Sequence, residues 1–123
     1  MGSKEEHLRQ AQHNEDFFNQ FDIDGTCFLD WFVTAIFYAA LHYIRSLASK
    51  YGFKNISSYG DLDKLFDRLS ILKRNSNIYG CYRHLKDDSR AARYDMALFS
   101  PDDVRDLRDN EYNEIKVFVL ANL

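Results

Sequence analysis

Breakers are scarce in this chain. Its 123 residues hold one proline and five glycines, too few to punctuate a many-stranded sheet, and long helices are the alternative. Cysteine is scarce too. Cys27 and Cys81 form no CxxC pair and no disulfide framework, so both read as reduced thiols of a cytoplasmic protein. The longest apolar stretch, Trp31 to Ile44, is interrupted by Thr34 and His42. It is too short to span a bilayer and reads as a buried core helix. The start, Met1-Gly2-Ser3-Lys4-Glu5-Glu6, lacks the apolar region of a signal peptide. No membrane association is expected.

Positive charge is in deficit as well. Sixteen Lys and Arg face nineteen Asp and Glu, a net charge of −3, which disfavours a protein that coats DNA without sequence preference. The deficit is uneven. Residues 1–30 carry two basic and seven acidic groups, and residues 73–99 carry six and three, so a local basic patch sits inside an acidic whole. Catalytic signatures are missing: there is no Gly-rich phosphate loop, no GxSxG elbow and no HExxH. Asp22, Asp24 and Gly25 resemble the start of a calcium loop, but Val33 stands where the closing Glu belongs. His7 and His13, six apart, face different sides of a helix and are poor co-ligands. Neither a metal nor a cofactor is expected.

Aromatic rings are abundant, with ten Phe, eight Tyr and one Trp in a chain that is 46 % apolar. That suffices for one core, and residues 1–123 are expected to form a single all-α domain, an antiparallel bundle of about five helices. The first, about Ser3 to Gln20, opens on a Ser3/Glu6 capping box. The second, about Phe28 to Lys50, is apolar almost all round and should be packed on several sides, with its aromatics in the core. The third should run from Ser58 or Asp61 to about Arg74, with Leu62, Leu65, Phe66, Leu69 and Leu72 on one stripe. After a break at Asn75-Ser76-Asn77, the fourth should occupy about Ile78 to Arg93, and Met96 to Phe99 should tuck onto the core as a loop. The fifth has the clearest start: Ser100 as cap, Pro101 at the first position, then Asp102 and Asp103 at the positive end of the dipole.

The fourth helix carries the functional signal. At roughly 100° per residue, Arg83, Lys86, Arg90 and Arg93 fall within about 80° of one another, opposite Ile78, Cys81, Leu85 and Ala92. One face packs; the other presents a row of cations suited to phosphate oxygens. A solvated face paired with the acidic terminal helices is the plainer reading. Tyr79 and Tyr82, beside the row, are the candidates for stacking on a base.

The run Asp30 to Tyr43, set behind a helix of the type His7 to Asn14, resembles the second helix of small HEPN-domain proteins, and Leu85 to Tyr94 is similar to that family's fourth-helix region. The resemblance covers nearly the whole chain in order and length. It implies a helical bundle that pairs as a homodimer and contacts RNA or nucleotides, in a toxin–antitoxin or defence setting, with a nucleotidyltransferase-type partner protein in some members. Many HEPN proteins are metal-independent ribonucleases whose hallmark is an Arg followed, after four to six residues, by a His. This chain departs from it. By the match, Lys86 stands where the family has Arg, and Arg93 where it has His.

That departure bears on chemistry. Cleavage without metal needs a group to take the 2′-hydroxyl proton and another to protonate the leaving oxygen, and a His does either. Arg stays protonated and serves neither step as a base. Three readings follow. The first is a module that binds RNA or nucleotide phosphates through Arg83, Lys86, Arg90 and Arg93. The second is a metal-independent endoribonuclease with a displaced acid–base group, for which His42, His84 and Arg93 are the catalytic candidates. The third is a non-catalytic protein-interaction adaptor whose basic row docks an acidic partner. His42, on the apolar second helix, reads first as a core or seam histidine with a hydrogen-bond partner.

Overall fold

A computed structural model describes residues 2–53, 56 and 58–123, and every described element is helical. Helix α1 (Lys4–Phe18) starts where Ser3 Oγ accepts from the Glu6 N–H at 3.2 Å and the Glu6 carboxylate accepts from the Ser3 N–H at 3.3 Å. Helix α2 (Leu29–Lys50) follows. It is stopped by Gly52, whose φ of +88° is the left-handed conformation that glycine adopts without a Cβ clash. Helix α3 (Tyr59–Arg68) is capped by Ser58 Oγ, which accepts from the Asp61 N–H at 3.0 Å.

The third predicted helix does not run on to Arg74. Leu69 is extended, with ψ of 113°, and the chain restarts as a single turn, α4 (Ser70–Lys73). Both Leu69 and Leu72 are buried across the kink. Helix α5 (Ser76–Tyr94) begins two residues earlier than its apolar pattern suggests; the break is confined to Asn75, whose side chain donates to the Ile71 carbonyl at 2.7 Å. Helix α6 (Pro101–Asp106) has the expected cap, a reciprocal Ser100–Asp103 box. It continues through a π-helical segment (Leu107–Tyr112) into α7 (Asn113–Ala121). The described residues thus form six helical rods, an all-α bundle in keeping with the expected one of about five helices.

The pairings fix direction. On α1 and α2, Phe18 meets Phe32 and His7 meets His42, so the two run antiparallel. On α5 and the last rod, Cys81 meets Glu114 and His84 meets Glu111, again antiparallel. Helix α2 is the centre: fourteen of its residues are buried, and it touches α1, α5 and the last rod. Burying side chains such as Phe32, Phe37 and Leu47 contributes roughly 1.5–3 kcal/mol each. A polar knot ties three helices at one side. Glu15 accepts from Tyr43 at 3.3 Å, Tyr112 at 2.8 Å and Lys116 at 2.6 Å. Burial pushes the Glu15 carboxyl up, but these donors outweigh it and hold the group below its ordinary value.

Two further expectations are corrected. Trp31 is not core but 56 % exposed, at the edge of α2. The loop after α5 does not tuck in: Met96 and Leu98 are 86 % and 96 % exposed, and Phe99 alone of its apolar side chains packs against the core cluster. Met96 has a φ of +53°. Cys27 and Cys81 are both free thiols. No helix among the described residues is long and apolar enough to cross a membrane.

Candidate phosphate-binding cleft

Helix α5 turns Ile78, Tyr82, Leu85, Ser89 and Ala92 inward. That register sets Arg83, Lys86, Arg90 and Arg93 along its outer side, facing α3 and the middle of α2. The last three of these cations line a cleft of about 360 Å³ together with Tyr38 of α2, Tyr59 of α3, Tyr94 and Asp95. Arg83 lies outside it. Tyr59, at the first turn of α3, and Tyr38 of α2 form the cleft's walls opposite the cations of α5.

Arg93 is the best-positioned group. Its Nη1 donates to the buried Ser89 Oγ at 2.6 Å. Its guanidinium carbon lies 5.5 Å from the Tyr38 ring centre, 5.4 Å from Tyr94 and 6.0 Å from Phe37. One N–H is thus spent on Ser89, and aromatic faces hold the rest of the fork by cation–π attraction. No carboxylate comes within ion-pair distance of Arg90 or Arg93 among the described residues. Lys86 sits 5.2 Å over the Tyr59 ring and 3.6 Å from Asp63 Oδ2. Arg83 is 3.9 Å from both Asp63 and Asp87.

A further cation stands nearby. Arg45 of α2 is half-buried, and its Nε has no hydrogen-bond partner. Burial pushes its guanidinium down, against the pull of the Tyr59 and Tyr82 hydroxyls. On Tyr59, burial and then the neighbouring Tyr38 hydroxyl push the phenol up, while Arg93 and Arg45 pull it down. The cleft is therefore cationic and tyrosine-walled, with Asp95 as the one carboxylate in its lining. Such a site neutralises phosphate oxygens and offers ring faces to a base or sugar.

The predicted stacking partners change. Tyr82 is fully buried and cannot stack on a base. Burial, then the Asp63 carboxylate, push its hydroxyl well up. Tyr79 is half-buried and packs edge-on against Phe66, away from the cleft. Tyr38, Tyr59 and Tyr94 take that place, and Tyr94 is 72 % exposed. Only the adjacency of Tyr94 to Arg93 was visible beforehand; Tyr38 was hidden in an apolar run, and Tyr59 and Arg45 gave no local signal.

The candidate acid–base residues are dispersed. None of the four histidines lines the cleft. His42 has the hydrogen-bond partner its setting suggested: its Nδ1 meets His7 Nδ1 at 3.0 Å, with the rings stacked 5.2 Å apart. It faces a neighbouring groove of about 390 Å³ walled by Phe17, Trp31, Ala35 and Tyr38. Burial, then His7 and Arg45, push His42 down to about 4, so it is neutral at physiological pH. His84 is on the other side of α5, 3.1 Å from Asp88 and 3.4 Å from Glu111. Arg93 alone of the three candidates is in the cleft. No group of three or more His, Cys, Asp or Glu that could hold a metal ion occurs among the described residues. Compared with models of protein families, with curated proteins and with solved structures, the chain has no match.

Proposed function

We propose that this chain binds the phosphates of RNA or of a nucleotide in the cleft of Lys86, Arg90 and Arg93, with Tyr38, Tyr59 and Tyr94 against base and sugar. The observation that carries the reading is Arg93 itself. A guanidinium fixed by Ser89 and two tyrosine faces, with no carboxylate within ion-pair distance among the described residues, is held in a geometry that suits an anion. The resemblance to HEPN proteins points the same way. Arg83 contributes from outside the cleft, through the long-range field that draws a polyanion in.

The arrangement favours binding over cleavage. No histidine lines the cleft, so the side chain best suited to move a proton near neutral pH is absent from it. The chain acts as a homodimer in this reading, with the groove bearing exposed Trp31 and Phe17 as the apolar surface that a second copy would cover.

The test is anisotropy of a fluorescein-labelled single-stranded RNA, titrated against salt, for the wild type and an Arg90→Ala/Arg93→Ala variant. Binding that weakens with salt, and falls at least about tenfold in the variant, supports the reading. Equal binding by both removes the cleft from consideration, and no binding by either leaves the adaptor reading. Incubating the same RNA in EDTA and finding fragments with the wild type alone would restore the endoribonuclease reading. A monomer by light scattering at micromolar concentration would end the dimer proposal.

A further inference from the structure

The four cations of α5 are not equivalent. Asp63 of α3 stands against the N-terminal half of the row: its Oδ2 is 3.6 Å from Lys86 Nζ and 3.9 Å from Arg83 Nη1. Both separations exceed the roughly 2.7–2.9 Å of a charge-assisted hydrogen bond. The cations are held by Coulomb attraction and are not locked by directional bonds. The other carboxylate oxygen, Oδ1, is buried with no hydrogen-bond partner, so Asp63 is itself held chiefly by the two cations it faces. The C-terminal half, Arg90 and Arg93, has no such counter-charge.

Lys86 belongs to both halves. It pairs with Asp63, and it lines the cleft with Arg90 and Arg93. Its ammonium lies 5.2 Å over Tyr59 and 5.9 Å over Tyr82, so two ring faces support it between the carboxylate and the cleft.

We infer that Asp63 is a charge gate on this cleft: it occupies Lys86 as a built-in anion and sets what a ligand's second phosphate must displace. The inference rests on the phosphate-binding reading above. A lone phosphate is met by Arg90 and Arg93, and Asp63 does not bear on it. Lys86 lies four residues before Arg90, roughly 6 Å along the helix axis, which is of the order of the spacing between neighbouring phosphates in a nucleic-acid strand. A second phosphate arriving there takes Lys86 from Asp63 and leaves that carboxylate facing a like charge. Asp63 is thus a specificity-determining residue: it lowers the affinity for strands and leaves that for monophosphates unchanged.

The experiment compares two probes, uridine 5′-monophosphate and a short oligouridylate, by calorimetric titration at low salt. The proteins are the wild type, Asp63→Asn, Asp63→Ser, Asp67→Asn and Lys86→Ala with and without Asp63→Asn. Asp67 is exposed one turn along the same helix and controls for loss of one negative charge; thermal midpoints verify that each variant is folded. Both Asp63 variants should bind the oligouridylate roughly fivefold more tightly, the weight of one freed surface charge, with the monophosphate unchanged. That gain should vanish in the Lys86→Ala background. A gain no larger than that of Asp67→Asn, an equal gain for the monophosphate, or a gain that survives Lys86→Ala overturns the gate while leaving the cleft intact. Failure of every folded protein to bind either probe overturns the cleft and the gate together.

Discussion

His7 and His42 meet Nδ1 to Nδ1 at 3.0 Å across the α1–α2 contact, so one ring must donate and the other accept. The pair is stable only while at least one nitrogen lacks a proton. Arg45 adds a positive charge beside both rings, and Glu6 is the one acidic group that favours protonation of His7. Burial, together with these charges, depresses both histidines, His42 to about 4. Between the ordinary histidine value near 6.5 and about 4 the unfolded chain therefore binds more protons than the folded one. Stability is present above that window and is lost as pH falls through it. After discounting for partial exposure, the loss is roughly 1–2 kcal/mol. Urea midpoints from pH 7.5 to 4 should fall in the wild type and fall much less in His42→Gln. Parallel curves would exclude the pair as the source.

Glu15 supplies the opposite case. It accepts from Tyr43, Tyr112 and Lys116, which come from α2, the π-helical segment and α7. Removing the carboxylate leaves two tyrosine hydroxyls and an ammonium without their acceptor. Glu15→Ala should cost about 3 kcal/mol, since orphaned buried donors lose more than the bonds contributed. Tyr43→Phe, which removes the longest of the three bonds, should cost under about 1 kcal/mol. Chemical denaturation distinguishes the two, and a mild effect of Glu15→Ala would show that water replaces the carboxylate.

Both features sit where the sequence was least informative. The caps were legible because they are local: Ser3 with Glu6, and Ser100 with Pro101 and Asp103, need only their own chain neighbours. The basic face of α5 was legible for the same reason, being a matter of helical spacing. His7 and His42 lie on different helices, and their meeting depends on how α1 packs on α2. The division of the row into a paired half and a free half depends on Asp63 of α3. The break at Leu69 and the π-helical segment answer to packing, since neither carries a glycine or proline.

Ser89 tests how far Arg93 is preorganised. It is fully buried mid-helix, and its Oγ takes one N–H of the guanidinium at 2.6 Å. Ser89→Ala removes that tether without touching the cleft lining. Stability should change by less than about 1 kcal/mol, whereas RNA affinity should drop roughly threefold as Arg93 regains rotamers it must lose again on binding. Unchanged affinity in anisotropy titrations would mean that Tyr38 and Tyr94 alone position the guanidinium.

Met96 closes α5 in a way its side chain opposes. The Ala97 N–H reaches back to the Ala91 carbonyl at 3.2 Å and the Asp95 N–H to the same oxygen at 3.0 Å, so the helix ends on a left-handed position of the kind that normally falls to glycine. Here that position is Met96, with φ of +53°, and left-handed backbone costs a non-glycine residue roughly 1–2 kcal/mol. Its side chain is 86 % exposed, so replacing it forfeits little burial. Met96→Gly should therefore raise the unfolding free energy by about 0.5–1 kcal/mol, the strain relieved less the added freedom of glycine in the unfolded chain. Met96→Ala keeps the strain and should be neutral. Because Asp95 and Tyr94 line the cleft next door, the two variants also separate loop stability from binding: a firmer helix end in Met96→Gly with unaltered RNA affinity would place the exposed loop outside the recognition surface.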